Sequence, residues 1–160
     1  MDQKQNFLQR IKSKFSSNTQ YQAPARPVIE PAVDKDKFLY SIGMNETSII
    51  PEGERYTFTR DSGKKELGRA LGKYQVTEGE LKTYGERYLG SPISSREFLE
   101  NPSFQDRYMS NKAKYLADQG YTPQQIADIH YSGFTNSSDP GSDIYQTEDY
   151  VNKFNINYNK

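Results

Sequence analysis

The second half of this chain carries one helix-start signal after another, and that punctuation constrains its fold more than any other feature. Thr77-Glu78-Gly79-Glu80 and Ser94-Ser95-Arg96-Glu97 are capping boxes, with a side-chain acceptor at the N-cap and a Glu three residues later. Asn101-Pro102 and Thr122-Pro123-Gln124-Gln125 place a cap before a proline at the first helical position, where its missing N–H costs nothing. Gly90, Gly120 and Gly133 supply the stops. The pattern predicts helices from Thr77 to Leu89, from Ser94 through Leu99, from Pro102 to about Gln119, and from Thr122 to Gly133. Leu81, Tyr84 and Tyr88 mark the packing face of the first. Phe104, Tyr108, Ala113 (or the stem of Lys112), Tyr115 and Leu116 mark that of the third, and Ile126, Ile129 and His130 that of the fourth. After a Ser-, Asp-, Pro- and Gly-rich loop from Phe134 to Gln146, Thr147 is expected to cap a last helix. Glu148 and Asp149 stand at its positive end, and Tyr150, Val151 and Phe154 turn inward.

Upstream, Asp34 is placed to cap a helix from Lys35 to about Met44, with Phe38, Leu39 and Ile42 on its buried side. Glu46 then falls at or just past its last turn. From Ile49 to Arg69 the chain is polar, and the alternation in Tyr56-Thr57-Phe58-Thr59 suggests a strand of a small hairpin. Residues 18–33 carry Pro24, Pro27 and Pro31 among polar side chains and read as a linker. Residues 1–17 read as a basic amphipathic arm. Phe7, Leu8, Ile11 and Phe15 share one face, and Lys4, Arg10, Lys12 and Lys14 supply the charge. Such an arm can dock on a partner or a membrane surface, or it is simply a frayed tail, because isolated helices this short are marginal. The expected organisation is therefore an arm (1–17), a linker (18–33), a mainly α domain with a small β-hairpin or irregular insertion (34–155), and a loose polar tail (156–160).

Composition removes several function classes. The 160 residues have a formal net charge of zero, which argues against nucleic acid as the main ligand of the whole chain. No cysteine is present, so disulfides, thiolate metal sites and a cysteine nucleophile are excluded. With a single His, a zinc site lacks ligands. Asp139-Pro140-Gly141-Ser142-Asp143 has oxygens without the spacing of a calcium loop and reads as a solvated turn. Phosphate-loop and nucleophile-elbow motifs are missing. No cofactor and no metal is expected. No apolar run approaches a membrane span, and Met1 to Phe15 lacks the apolar region of a secretory signal.

The chemistry-bearing stretch runs from Phe38 to Val76. A carboxylate at the end of an apolar segment can be partly desolvated, which raises its pKa so that it can hold a proton near neutral pH; the alternative is a solvated helix-end acid. Glu46 has that placement. The segment Ala70-Leu71-Gly72-Lys73-Tyr74-Gln75-Val76 is expected to form the other wall of a cleft. Gly72 would allow close backbone approach, while Tyr74 and Gln75 would face a sugar.

Three ordered pieces resemble the lytic transglycosylases of the goose-type lysozyme-like (SLT) family. Ile42-Gly43-Met44-Asn45-Glu46-Thr47-Ser48 is similar to that family's helix ending in Glu-Ser. Ala70-Leu71-Gly72-Lys73-Tyr74-Gln75 is similar to its Gly-Leu-Met-Gln motif. Ile126-Ala127-Asp128-Ile129-His130-Tyr131-Ser132-Gly133 is similar to its Ala-x-x-Tyr-Asn-x-Gly motif, with His130 where the family has Tyr and Tyr131 where it has Asn. The segment from Thr147 through Val151 resembles the closing Thr-x-x-Tyr-Val.

The resemblance implies a lysozyme-like fold and cleavage of the β-1,4 bond between N-acetylmuramic acid and N-acetylglucosamine in peptidoglycan glycan strands. One carboxylate, Glu46, serves as acid and then as base, and the products carry 1,6-anhydro ends. Gly72, Tyr74, Gln75, His130 and Tyr131 would contact the glycan, His130 with a pH-dependent charge near Glu46. The loop between Glu46 and Gln75 is longer than is usual in the family. Its Glu52, Glu54 and Asp61 are candidates for a second carboxylate if the reaction is instead hydrolytic. Without a signal sequence, delivery as a phage virion component is the expected route to the wall. The rival reading is a non-catalytic virion structural protein that keeps the scaffold, with the basic arm contacting a virion or membrane-surface partner.

Overall fold

The computed structural model describes residues 33–132 and 144–160. The basic arm, nearly all of the proline linker, Gly133 and the Asp139–Asp143 turn lie outside them. Among the described residues the fold is mainly helical with one small antiparallel sheet, as the sequence predicts at this coarse level. No helix among them is long and apolar enough to cross a membrane.

Helix α1 spans Lys35–Thr47. Asp34 caps it, its Oδ1 accepting from the amides of Asp36 and Lys37. Phe38, Leu39 and Ile42 are buried as expected, but the helix runs one turn further than the apolar pattern suggests. Thr47 explains the extension. Its hydroxyl proton is shared between the Gly43 and Lys73 carbonyls, which ties the last turn to the turn at residues 72–75.

The sheet is a three-stranded antiparallel meander of β1 (Thr59–Asp61), β2 (Arg69–Leu71) and β3 (Val76–Thr77). Arg60 pairs with Ala70, and Leu71 pairs with both Thr59 and Val76. The hairpin thus begins at Thr59, later than the Tyr56–Thr59 alternation suggests. Residues 55–57 lie in a turn instead, with the Thr57 amide closing onto the Glu54 carbonyl. The Tyr56 hydroxyl is meanwhile drawn to Asp106.

Helices α2 (Glu78–Leu89), α3 (Ser95–Glu100), α4 (Pro102–Ala117) and α5 (Pro123–Ser132) follow within a residue or two of their sequence signals. The Ser94–Glu97 box is reciprocal, and Thr122 and Gln125 form the same arrangement. Thr77 accepts from the Glu80 amide, but the Glu80 carboxylate does not return to it and turns inward. Asn101 precedes Pro102 without capping, its side chain accepting from Ser103.

Helix α4 is central and packs against α1, α2, α3 and α5. Its buried face includes Tyr108, Met109, Ala113 and Leu116, together with two polar side chains, Gln105 and Lys112. Burial of Met109 and of Leu116 contributes about 1.5–3 kcal/mol each.

The last helix, α6 (Ile144–Tyr158), corrects two expectations. It starts before Thr147, which therefore lies within the helix, and it continues beyond Asn155. The C-terminal residues are anchored rather than loose. Phe154 is buried against Phe38, Tyr158 stacks on Phe154, and the Tyr158 hydroxyl accepts from the Asp34 amide. The two ends of the domain are closed onto each other, with α6 lying along both α1 and α5.

Candidate active site

Glu46 lies in the last turn of α1, where the helix dipole already disfavours negative charge. Only 7% of its side chain is exposed. Oε1 accepts a 2.8 Å hydrogen bond from the Tyr150 hydroxyl of α6, and Oε2 accepts from the half-exposed Arg60 of β1 at 3.2 Å. Burial pushes the carboxyl up from 4.5 to about 7, against the Tyr150 hydrogen bond and the charges of Arg60, Lys153 and Lys112. Desolvation wins, so Glu46 holds its proton to near-neutral pH. Burial, and then the neighbouring Glu46, push the Tyr150 hydroxyl well above its usual range, so it stays a donor.

His130, on the buried face of α5, approaches the same carboxyl. Its Nε2 is 2.8 Å from the Tyr74 carbonyl and 3.8 Å from Glu46 Oε1. A carbonyl only accepts, so Nε2 carries the proton. The Nδ1 lone pair then accepts from Lys112 Nζ at 3.2 Å. Burial and the adjacent Lys112 bring His130 down from 6.5 to about 4. This corrects the expectation of a histidine charge that varies near physiological pH, because the ring is neutral throughout that range. It also settles the 3.8 Å contact. Glu46 is neutral below about 7 and His130 is neutral above about 4, so the two do not form an ion pair.

Lys112 is itself almost completely buried and pairs with Glu80 Oε1 at 2.6 Å. The same oxygen accepts from Tyr108 at 3.0 Å. Burial alone would raise the Glu80 carboxyl, but Lys112 and its hydrogen bonds hold it below its usual value. A continuous polar chain thus runs through the core, from Glu80 through Lys112 and His130 to the neighbourhood of Glu46.

The Gly72–Gln75 segment stands apart from its expected role as a sugar-facing wall. Gly72 is buried with φ +68°, and a Cβ there would fall 2.0 Å from Gln105 Oε1, so the glycine is required by the protein's own interior. Tyr74 is 1% exposed and its hydroxyl donates to Asp106 at 2.6 Å. Gln75 is buried in the left-handed region at φ +51°, with Nε2 donating to the Gly72 carbonyl. Its Oε1 is a buried acceptor with no hydrogen-bond partner among the described residues. The segment serves the site through its backbone, since the Tyr74 carbonyl orients His130. Tyr131 is 40% exposed and stacks on Tyr150 with ring centroids 4.4 Å apart. Of the six residues singled out from sequence, His130 stands 3.8 Å from the Glu46 carboxyl and Tyr131 stacks on its partner Tyr150, whereas Gly72, Tyr74 and Gln75 are buried in the interior.

Sequence reasoning did not single out Tyr150, Arg60, Lys112 or Glu80. Tyr150 lies in the closing Thr-x-x-Tyr-Val segment, and Lys112 occupies an apolar-face position between Tyr108 and Leu116. Both were readable signals. Glu80 was masked by its fit to a capping box. The second-carboxylate candidates do not contact Glu46 through any hydrogen bond or ion pair in the structure. Asp61 accepts from the Gly63 amide in its own turn. Glu52 lines a separate small pocket of about 110 Å³ with Tyr40, Arg55, Tyr56 and Lys73. Among the described residues no group of three or more His, Asp or Glu side chains is placed to hold a metal.

Comparison with protein-family models, with curated proteins and with solved structures gives no significant match.

Proposed function

We propose that the chain cleaves peptidoglycan glycan strands at the bond between N-acetylmuramic acid and N-acetylglucosamine, as a lytic transglycosylase with Glu46 as its acid and base. The observation that carries this reading is the recessed carboxyl of Glu46, raised to about 7 and held by Tyr150. Protonated Glu46 donates to the leaving glycosidic oxygen, and the C1–O bond breaks. The substrate's own N-acetyl group stabilises C1. The Glu46 carboxylate then removes the proton from the C6 hydroxyl, whose oxygen bonds to C1. The Glu46 proton is restored and no water is consumed. The general acid requires a proton near neutral pH, which the burial of Glu46 provides. Cations dominate the charges acting on the Glu46 carboxylate, which favours one-carboxylate chemistry over hydrolysis with a paired second acid.

In this reading the glycan meets Glu46 beside the exposed Arg60, and the partly exposed Tyr131 ring, which stacks on the buried Tyr150, packs against a sugar ring. Delivery within a phage particle is part of the proposal, and the basic arm is assigned to docking. The test is digestion of purified peptidoglycan by wild type and Glu46→Gln, with products read by mass spectrometry. Wild-type products lighter by one water than hydrolysis products, absent with Glu46→Gln, support the proposal. Reducing ends would replace it with a lysozyme reaction. No digestion by the wild type would favour the structural, non-catalytic reading.

A further inference from the structure

We propose that Lys112 and His130 form a positioning relay for Glu46, in which Lys112, anchored by Glu80, fixes the His130 ring in its Nε2–H tautomer and keeps a neutral donor turned toward the Glu46 carboxylate. The inference rests on Glu46 being the acid and base. It goes further by assigning a task to a buried cation and a buried imidazole that the reaction does not otherwise use.

The geometry leaves little freedom. Lys112 Nζ can only donate, and it lies 2.6 Å from Glu80 Oε1 and 3.2 Å from His130 Nδ1, so Nδ1 must present its lone pair. The proton is then on Nε2, between the Tyr74 carbonyl at 2.8 Å and Glu46 Oε1 at 3.8 Å. While Glu46 is protonated, Tyr74 takes the hydrogen bond. Once Glu46 has given its proton to the leaving oxygen, the N–H dipole 3.8 Å away attracts the new carboxylate while its hydrogen bond to Tyr74 is kept. Lys112 strengthens that donor by polarising the ring from its far side.

His130 transfers no proton in this scheme. It stabilises the charge that Glu46 carries between its acid and base steps. The groups facing Glu46 are Arg60 from β1, Tyr150 and Lys153 from α6, His130 from α5 and, beyond the imidazole, Lys112 from α4. Tyr150 donates to Oε1 and Arg60 to Oε2, which leaves a lone-pair position on each oxygen, and the His130 N–H stands 3.8 Å from Oε1.

His130 is the only histidine in the chain, so its ring can be observed without assignment ambiguity. The first measurement is nitrogen NMR of the full-length wild-type protein between pH 5 and 8. A neutral Nε2–H ring throughout is expected, and an Nδ1–H tautomer or a ring that protonates in that range would overturn the proposal. The second is titration of the Glu46 carboxyl by carbon NMR in wild type, His130→Gln and His130→Leu. Gln keeps an N–H donor near the Nε2 position, and Leu removes it. The Glu46 acid dissociation constant should fall about tenfold, one pKa unit, in His130→Leu, and stay within about threefold in His130→Gln. Equal Glu46 titration in all three would make His130 structural only. Should His130→Leu fail to fold, the wild-type tautomer and the Gln variant still decide. No substrate enters either measurement. Inactivity on peptidoglycan would therefore defeat the transglycosylase reading and leave these results interpretable.

Discussion

The Tyr150 hydroxyl donates to Glu46 Oε1 across 104 positions of sequence, at 2.8 Å. The bond joins the last turn of the first helix to the closing helix, and it favours ionisation of a carboxyl that burial otherwise keeps protonated. Tyr150→Phe removes the donor and leaves the ring stacked on Tyr131. A hydrogen bond to a charged group contributes about 1.5 kcal/mol or more, so Glu46 should rise by about one further pKa unit. The base limb of any pH–activity profile should move to higher pH by the same amount, as kinetics on peptidoglycan across a pH series would register.

Glu46 also sets a pH dependence of stability. Its folded-state pKa, about 7, lies above the unfolded value of 4.5. The folded protein therefore binds the proton more tightly. That contribution is fully present below about pH 4.5 and is lost as pH rises through 7. The difference corresponds to about 3 kcal/mol. Glu46→Gln stays neutral and still accepts from Tyr150. It should match the wild type in denaturant unfolding at pH 4 and exceed it by up to about 3 kcal/mol at pH 8. Parallel curves at the two pH values would mean that the carboxyl is not desolvated in solution. His130 adds a contribution at the acid end. Its folded pKa is depressed to about 4, so the stability it brings is present above about 6.5 and is lost as pH falls through 4.

Gly72 is demanded twice over, by a φ of +68° and by the Gln105 side chain against its Cα. Gln105 cannot give way, because its Oε1 accepts from the Lys73 amide while its Nε2 donates to the Tyr56 and Phe98 carbonyls. Gly72→Ala should cost about 2–5 kcal/mol, combining left-handed strain with overpacking. Thermal unfolding checks this, and a shift of less than a degree would show the site to be more open than described.

The buried Lys112–Glu80 pair should behave asymmetrically. Lys112→Met leaves a buried carboxylate without its cation, at a cost of about 3–5 kcal/mol. Combining it with Glu80→Gln removes that unpaired charge, and the double variant should be more stable than Lys112→Met alone. A double-mutant cycle in urea measures the coupling, and additivity of the two changes would contradict the pairing.

Much of the scaffold was legible in local chemistry. Asp34, Ser94 and Thr122 cap where their spacing to the following residues says they should, and Gly90 and Gly120 take the left-handed turns that end α2 and α4. These are contacts among near neighbours, and nearest-neighbour geometry is what a linear pattern encodes. The position of Glu46 at the end of its helix was legible in the same way, but its burial was not, since a solvated helix-end acid fits the same pattern and Tyr150 of α6 helps to cover it.

What the sequence determined by itself was therefore the helical punctuation and the presence of one acid at the end of a buried helix. Only the tertiary structure decided what surrounds that acid. Tyr74 and Gln75 read as sugar-facing because tyrosine and glutamine are amphipathic and fit either a groove or a core. Asp106 and the Gly72 carbonyl, which draw them inward, are remote in sequence or available only after the chain turns at +51°. Glu80 satisfied a local capping pattern, yet its carboxylate went to Lys112, because a buried cation must be paired and the helix-start amide can be satisfied without it. The neutral state of His130 and the raised pKa of Glu46 are products of desolvation and of charges brought together from β1, α2, α4 and α6. No order of residues along the chain specifies those energies until the helices are packed.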